Sequence, residues 1–316
     1  MRLIGVAIVR NEADIVEAFA RTNLVLLDAL HVMVHRSTDG TREILQALAG
    51  EGLPLRLSEI AEESFNQEYH VTKAARLAFR DERADFVFPL DADEFVRADS
   101  RAALEQSLAS LAAEHVGALP WLTYVPTAND RPSELPLQRL DRRFRLSPVA
   151  ALDLNYCKVV VGSWFAARAD ARILEGNHAV FARNEQLATA RCPDVTVCHF
   201  PIRSAEQLWK KAALGWIAQL ASGRDLESSG VSGHWRQIFR NLKDNGVLSE
   251  ADMRSFVTAY VPPQSRHNEL IVDPLPHRVD VQRYAAMQRP QSLVQALLER
   301  AESLARIAGA SSRKPG

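Results

Sequence analysis

Residues 85–94 read DFVFPLDADE, an apolar strand that ends in a run of carboxylates, and this stretch decides the fold class. Asp91 and Asp93 stand two positions apart, and alternate residues of an extended chain point to the same face. Ligands of an open parallel sheet bind beyond the carboxyl ends of its strands. We therefore expect the two carboxylates to lie together where a ligand binds.

On both sides of this stretch, short apolar runs alternate with segments of helical period. The predicted strands are residues 3–9, 31–35, 54–60, 85–90, 116–125 and 195–200, with a β-rich, antiparallel stretch over 152–165. The predicted helices are residues 13–27, 41–48, 67–83, 100–114, with Asp99 as the N-cap, and 205–220. The βαβα order at the start predicts an α/β fold with a parallel, doubly wound sheet.

The chain is expected to divide near residue 222, where a stretch rich in Ser and Gly begins. We predict a catalytic domain over residues 1–222, with one half over 1–115 and the other over 116–222. A helical C-terminal extension over 223–312 and a disordered tail over 313–316 would follow.

Composition excludes several classes of protein. The 316 residues are 47% apolar and carry a net charge of -1, so nothing global favours nucleic acid. The apolar run at the N-terminus is too short for a signal peptide or a membrane span, and no other run approaches that length. The three cysteines show no Cys-x-x-Cys spacing, so neither a disulfide framework nor a zinc site is indicated. We expect a cytoplasmic protein.

The paired carboxylates suit a divalent cation. Carboxylate oxygens are hard ligands, and Mg²⁺ or Mn²⁺ takes a few of them together with substrate phosphates. The alternative is that Asp91, Asp93 and Glu94 only solvate a loop, which is the commoner role of an isolated Asp-x-Asp.

Four further motifs accompany the carboxylates. In chain order the segments are VRNEADIVEAF at 9–19, HRSTDGTREIL at 35–45, DADE at 91–94, GNH at 176–178 and HFPIRSAEQLWKK at 199–211. Together they resemble glycosyltransferase family 2 over residues 3–216. The resemblance implies a GT-A type fold, with a Rossmann-like, mostly parallel sheet flanked by helices. It also implies Mn²⁺ or Mg²⁺ at the Asp-x-Asp motif and inverting transfer of a sugar from a nucleotide-sugar donor to an acceptor hydroxyl.

The resemblance places donor-binding residues at the ends of the first two strands. Asn11 and Glu12 would face the nucleoside; the alternative is that Asn11 caps a helix and Glu12 favours its dipole. Asp39 either binds the donor or belongs to the turn that precedes the helix at Thr41. Arg36 stands where the family usually has an acidic or amide residue that reads the base, so we expect Arg36 to contact phosphate instead.

Later segments supply the remaining candidates. His199 and His178 could each complete the metal shell of Asp91 and Asp93, with His199 favoured, although a buried structural histidine is the commoner reading of either one alone. Cationic groups stabilise charge on a departing diphosphate, and the candidates for this role are Lys158, Arg203 and Lys210. The candidate general base on the acceptor hydroxyl is Glu175, with Asp153 as the second choice.

Two other functions compete. A nucleotidyltransferase would carry a Gly-rich, basic loop after its first strand, where this chain has VRNEAD. A catalytically inactive nucleotide-sugar or carbohydrate-binding protein would be distinguished by its failure to turn over a donor. As partners we expect a nucleotide-sugar, and as acceptor a sugar, polysaccharide or lipid-linked molecule; an oligomer is compatible with the sequence.

Overall fold

A computed structural model of the chain describes residues 1–62, 66–127, 135–147, 153–221, 233–246, 256–279 and 281–311. The described residues form two compact units. The first unit consists of Met1–Glu62, Asn66–Pro201 and Tyr260–Arg289. The second contains the described parts of Ile202–Ala259 and Pro290–Gly316. The predicted domain limits at residues 222 and 312 stay a prediction.

The described strands are β1 Leu3–Val9, β2 Ala29–His35, β3 Leu55–Ile60, β4 Phe86–Asp91, β5 Glu94–Arg97, β6 Val116–Thr123, β7 Arg142–Phe144, β8 Cys157–Gly162, β9 Arg172–Ile173, β10 Val180–Ala182, β11 Glu185–Gln186, β12 Thr189–Arg191, β13 Thr196–His199 and β14 Leu270–Val272. The described helices are α1 Val16–Asn23, α2 Thr41–Gly50, α3 Gln67–Glu82, α4 Arg101–Ala109, α5 Pro136–Arg139, α6 Trp164–Ala167, α7 Ala205–Ala221, α8 Gly233–Asn245 and α9 Leu293–Ser311.

The main sheet has the order β3-β2-β1-β4-β8-β6-β13-β5, with β12 paired to β6. Strands β1 to β4 run parallel, and the register pairs Ile8 with Asp91 and Val9 with Val34, so β1, β2 and β4 end at one edge. Strand β8 is antiparallel to both β4 and β6, as expected for the β-rich stretch. The predicted α/β class with a mostly parallel sheet is confirmed.

Burial on both faces explains why the sequence of this sheet is so apolar. All seven residues of β1 and all seven of β2 are buried, because helices cover the sheet on each side. Phe88 and Leu90 of β4 belong to the same core. Asp91 is the first polar residue after that apolar run, and the core continues beyond the carboxylates with Phe95 and Val96 of β5.

One local prediction was wrong, and another is met over a shorter range. The N-cap of α4 is Ser100 instead of Asp99, because the Ser100 hydroxyl accepts a hydrogen bond from the Ala103 amide at 3.1 Å. Of the predicted β-rich stretch, the structure describes residues 153–165, in which Cys157–Gly162 forms the strand, a 3₁₀ turn precedes it and α6 follows it.

Residues from the end of the chain complete the first unit. The Asp273 carboxylate accepts two hydrogen bonds from the Arg97 guanidinium of β5, at 2.7 and 3.0 Å. The Glu17 carboxylate of α1 accepts from the Arg283 and Tyr284 amides at 3.1 and 3.0 Å. Along the described ranges, no helix has both the length and the apolarity needed to cross a membrane.

Candidate functional site

Asp91, at the end of β4, is held at both carboxylate oxygens. Its Oδ2 accepts a hydrogen bond from Lys158 Nζ at 2.8 Å, and its Oδ1 accepts from Gln67 Nε2 at 3.0 Å. The side chain is 34% exposed. Each carboxylate oxygen has a second lone pair. Asp91 is therefore fixed in orientation while part of its carboxylate still faces solvent.

Glu94 forms the buried floor of this site. Its Oε1 lies 3.0 Å from Lys158 Nζ and accepts from the Trp121 indole at 2.9 Å, while its Oε2 accepts from the Asp91 amide at 2.9 Å. Complete burial raises the pKa of Glu94 above its ordinary value, and the nearby ammonium group of Lys158 opposes that shift. Burial lowers the pKa of Lys158, but the two carboxylates outweigh it and the net shift is upward. Lys158 thus remains the cation of the cluster.

The surroundings of Lys158 correct its predicted role. Its side chain is only 1% exposed, and its ammonium group has acceptors for all three protons: Asp91, Glu94 and the Gly176 carbonyl, the last at 2.7 Å. No proton is left over for a diphosphate. The geometry does not support direct donor binding by Lys158 and makes it the group that holds Asp91.

Asp93 occupies a different position from the expected one. The extended backbone ends at Asp91, and the chain turns through Ala92 and Asp93 before β5 begins at Glu94. This turn allows β5 to pair antiparallel with β13, which brings His199 beside Glu94. Asp93 is consequently buried, with 1% of its side chain exposed, and its Oδ1 lies 3.7 Å from His199 Nε2.

Trp121, on β6, lies between the two candidate histidines. The His199 ring stacks on the indole at 4.4 Å between centroids, and the His178 ring meets it edge-on at 4.7 Å. The Nδ1 atom of His178 bonds to the Cys157 carbonyl at 2.8 Å. Burial lowers the pKa of His178 to about 4, so this ring is neutral at pH 7. Trp121 was not predicted as a site residue, although its place in an apolar strand that leads to the same site was a usable signal.

Among the predicted metal ligands that the structure describes, Asp93 and His199 are the pair whose measured spacing suits a divalent cation. In the part of the chain that the structure describes, no group of three His, Cys, Asp or Glu side chains could hold a metal ion. The predicted set of Asp91, Asp93, His199 and His178 is therefore not assembled. Asp93 Oδ1 and His199 Nε2, at 3.7 Å, have a suitable spacing, because ligands about 2.1 Å from one ion lie about 3 Å or more apart. Substrate phosphates would have to complete the shell.

Gln67 is a second site residue that the sequence analysis missed. It is the first residue of α3 and is buried. Its amide nitrogen donates to Asp91 and its amide oxygen accepts from the Gly176 amide at 2.8 Å. Gly176 has a φ of +84°, and a Cβ there would lie 2.7 Å from His178 Cδ2, so glycine is required. Gln67 therefore connects Asp91 to the loop that carries Glu175 and His178.

Asn11 lies at the same sheet edge, after β1. Its side-chain oxygen accepts from the Thr38 amide at 2.9 Å, and its own amide donates to the Ser37 hydroxyl at 3.1 Å. The alternative role of Asn11 as a helix cap is not observed, because α1 is preceded by Ile15 without a side-chain cap. Asn11 ties the loop after β1 to the loop after β2. Donor binding by Asn11 and its neighbour Glu12 stays a prediction.

Asp39 closes the turn before α2. One carboxylate oxygen accepts from the Ala13 amide at 2.9 Å, and the other accepts from the Thr41 amide and hydroxyl at 3.0 and 2.6 Å. Of the two readings of Asp39, these contacts favour the turn. Arg36 is exposed and donates to the Ala61 carbonyl at 3.0 Å.

The two candidate bases differ in their surroundings. Asp153 Oδ1 accepts hydrogen bonds from both nitrogens of Asn155 at 3.0 Å, so one oxygen of this carboxylate caps a short 3₁₀ turn. Glu175 precedes Gly176 in the loop held by Gln67 and Lys158. The role of Glu175 as the base stays a prediction.

Two predicted donor residues belong to the second unit. Arg203 is buried, and its amide donates to the Gln207 side chain at 3.1 Å. Lys210 Nζ donates to the Gln291 carbonyl at 2.7 Å and lies 3.7 Å from Glu206 on the preceding turn of α7. Contact of either residue with a donor stays a prediction.

Comparison with known proteins finds likeness among solved structures only. No protein-family model and no curated protein sequence matches the chain. A mannosyltransferase from Pyrobaculum calidifontis in complex with GDP-Man and Mn²⁺ is 18% identical, with 82% of this chain and 79% of that one covered and a TM-score of 0.34. GalNAc-T7 with UDP, GalNAc and Mn²⁺ is 11% identical, with 83% and 58% covered and a TM-score of 0.39. Glucosyl-3-phosphoglycerate synthase from Mycobacterium tuberculosis, in complex with Mg²⁺ and UDP, is 15% identical, with 52% and 57% covered and a TM-score of 0.30. Because these TM-scores lie below 0.5, the functional assignment rests on the residues of this chain.

Proposed function

We propose that the chain is a glycosyltransferase that binds a nucleotide-sugar donor where β1, β2 and β4 end. The observation that carries this proposal is the pairing of a fixed, partly exposed carboxylate, Asp91, with the buried Asp93–His199 pair at that edge. Parallel sheets bind nucleotides at this position. The motifs that resemble glycosyltransferase family 2 point to the same chemistry.

Asp91 would orient the donor. Its carboxylate can accept hydrogen bonds from hydroxyl groups of a ribose or a sugar through the lone pairs that Lys158 and Gln67 leave open. Because two side chains already fix the carboxylate, no rotamer freedom is lost when the donor binds. The ammonium group of Lys158 also compensates the negative charge that Asp91 and the buried Glu94 would otherwise concentrate in the site.

Asp93 and His199 are the residues that would hold Mn²⁺ or Mg²⁺. When bound, such an ion supplies positive charge to the diphosphate that departs from the sugar. Stacking on Trp121 fixes the plane of the His199 ring, so its nitrogen is already directed when a ligand arrives. A pair of ligands alone predicts weak metal affinity in the absence of nucleotide.

The acceptor hydroxyl would lose its proton to Glu175, with inversion at the sugar carbon. The support for Glu175 is its loop, which Gln67 and Lys158 attach to the Asp91 carboxylate. A general base must lie within hydrogen-bond reach of its proton, and a fixed loop provides that constraint. The acceptor would be a sugar, a polysaccharide or a lipid-linked molecule.

A thermal-shift screen of nucleoside diphosphates and nucleotide-sugars, with and without Mn²⁺, tests the proposal. A ligand that binds only the native state raises the melting temperature. We expect one base to give a shift that increases with Mn²⁺, and incubation of the matching nucleotide-sugar to release nucleoside diphosphate. A shift without turnover would instead identify a nucleotide-sugar-binding protein. The absence of any shift across the screen would contradict donor binding altogether.

A further inference from the structure

A second concave surface lies along α3, outside the site described above. It is a cavity of about 830 Å³, within the size range of small-molecule sites. Most of its lining comes from one face of α3 and the residue before it, and α6 and β9 supply the rest. The lining residues are Asn66, Glu68, Tyr69, Thr72, Lys73, Arg76, Leu77, Arg80, Ala166 and Arg172. No predicted donor, metal or catalytic residue is among them.

The lining is strongly basic, with four cationic side chains and a single carboxylate, Glu68. This excess is local, because the whole chain carries a net charge of only -1. Two of the four cations have carboxylate partners: Arg172 lies 3.6 Å from Glu68, and Arg80 lies 2.6 Å from Asp81. The charge that remains uncompensated therefore belongs to the other two cations, Lys73 and Arg76.

Lys73 and Arg76 are three residues apart and so lie on one face of α3. Within the described ranges, no carboxylate oxygen lies within 4.0 Å of either side chain. The acceptors of Arg76 are backbone carbonyls, among them Ala169 at 2.8 Å, and its guanidinium lies 5.5 Å from the centre of the Phe165 ring. Neutral carbonyls and an aromatic ring fix this guanidinium without cancelling its charge.

The remaining lining suits an organic ligand. Tyr69 is 53% exposed, and its ring lies 5.6 Å from Lys73 Nζ. An exposed aromatic ring beside a cation offers an apolar face next to a charge, while Asn66 adds hydrogen-bonding capacity. A fixed guanidinium and a lysine on adjacent turns match the charge and the acceptor oxygens of a phosphate group.

We propose that this cavity binds a small phosphate-bearing molecule, whose phosphate contacts Lys73 and Arg76. The ligand is separate from the donor bound at Asp91. Its binding requires no metal ion, because both counter-charges are side chains of α3. Affinity falls as ionic strength rises, since Lys73 is exposed and its attraction to an anion is screened by salt.

Calorimetric titration of the full chain with inorganic diphosphate, at low ionic strength and without divalent cations, tests this site. Lys73→Glu reverses one of the two cations and should weaken binding at least tenfold, since a charge-assisted hydrogen bond contributes about 1.5–3 kcal/mol. The matched control is Lys243→Glu, which makes the same charge change at an exposed lysine of α8 and should leave the affinity within about twofold. Lys73→Gln repeats the test without a new negative charge.

Asp93→Asn separates this site from the donor site. We expect diphosphate to bind this variant as it binds the parent chain. Loss of diphosphate binding in Asp93→Asn with full binding in Lys73→Glu would place the ligand at the carboxylates and overturn the proposal. So would equal affinities for Lys73→Glu and Lys243→Glu, or the absence of binding to the parent chain. None of these outcomes bears on whether nucleotides bind at Asp93, which the thermal-shift screen measures independently.

Discussion

Two groups of polar side chains lie at the same edge of the sheet and differ in what holds them. After β1 and β2, the side-chain oxygens of Asn11 and Asp39 accept hydrogen bonds mainly from backbone amides of neighbouring turns. After β4, Asp91 is held by two side chains, Lys158 and Gln67, and remains partly exposed. We call these the turn group and the clamp group.

The difference shows that position at a sheet edge does not by itself make a carboxylate a ligand. A carboxylate whose oxygens close a turn has its hydrogen-bonding capacity used by the chain, as for Asp39. A carboxylate held from behind by side chains keeps lone pairs for a substrate, as for Asp91. We therefore predict that substitution of Asp39 changes mainly the free energy of unfolding, whereas substitution of Asp91 or Asp93 changes mainly ligand binding.

The largest effect is expected for Lys158→Met. The substitution leaves two carboxylates, one of them fully buried, without their counter-charge, and breaking a buried ion pair costs about 3–5 kcal/mol. Chemical denaturation should show a loss of this size in the free energy of unfolding. The variant Lys158→Met with Glu94→Gln removes the buried charge as well and should recover part of the loss. A loss below about 1 kcal/mol for Lys158→Met would mean that the ammonium does not hold the clamp group together.

A pH dependence of similar size is expected from His178. Its pKa in the folded chain is about 4, below the ordinary 6.5, so the unfolded chain binds a proton that the folded chain does not. The contribution of His178 to the free energy of unfolding is then fully present above pH 6.5. It is lost as the pH falls towards 4, by at most about 3 kcal/mol. Denaturation between pH 4 and 7 should show a shallower slope for His178→Asn than for the parent chain. Identical slopes would contradict the buried, neutral state of this ring.

Asp39→Ala should cost about 2 kcal/mol of unfolding free energy, because the turn before α2 loses its side-chain acceptor for three hydrogen bonds. Once the native state is populated, the affinity for nucleoside diphosphate should stay within about threefold of the parent value. The matched change is Asp153→Ala, which also removes the cap of a short turn. A nucleotide affinity reduced more than tenfold in Asp39→Ala alone would move Asp39 from the turn group to the donor site.

A smaller effect is expected at Gln67. If Gln67 acts through Asp91, then Gln67→Leu weakens nucleotide affinity in the parent chain but adds little in the Asp91→Asn background. The parent chain, the two single variants and the double variant form a double-mutant cycle. In such a cycle, residues in direct contact typically give a coupling energy of about 0.5–3 kcal/mol. Calorimetry on the four proteins measures it. Additive effects would show that Gln67 supports the fold without orienting Asp91.

Much of the fold could be predicted from sequence because its signals are local. Alternating apolar runs and helical periods identified β1 to β4 and α1 to α3, whose order fixes a parallel sheet. The same edge argument located Asp91. Gln67 could have been predicted as a site residue in the same way, since it is the first residue of the helix that follows β3.

The rest of the site depends on contacts between distant parts of the chain. The turn that buries Asp93 exists because β5 pairs with β13, about one hundred residues later in the sequence. Lys158 was read as a donor-binding residue because its sequence shows a cation in a strand but not the two carboxylates that β4 and β5 place around it. Burial and partners of this kind follow from the register of non-adjacent strands, which no local pattern contains.

The most direct test of the account compares Asp93→Asn with Asp39→Asn. Each variant replaces one carboxylate at the same sheet edge by an amide of the same shape. Calorimetric titration with the nucleoside diphosphate selected by the thermal-shift screen, with and without Mn²⁺, measures both. The account predicts that Asp93→Asn loses the gain in affinity that Mn²⁺ provides, whereas Asp39→Asn keeps it and is only less stable. An undiminished gain in Asp93→Asn, or its loss in Asp39→Asn, would contradict the assignment of the donor site to the end of β4.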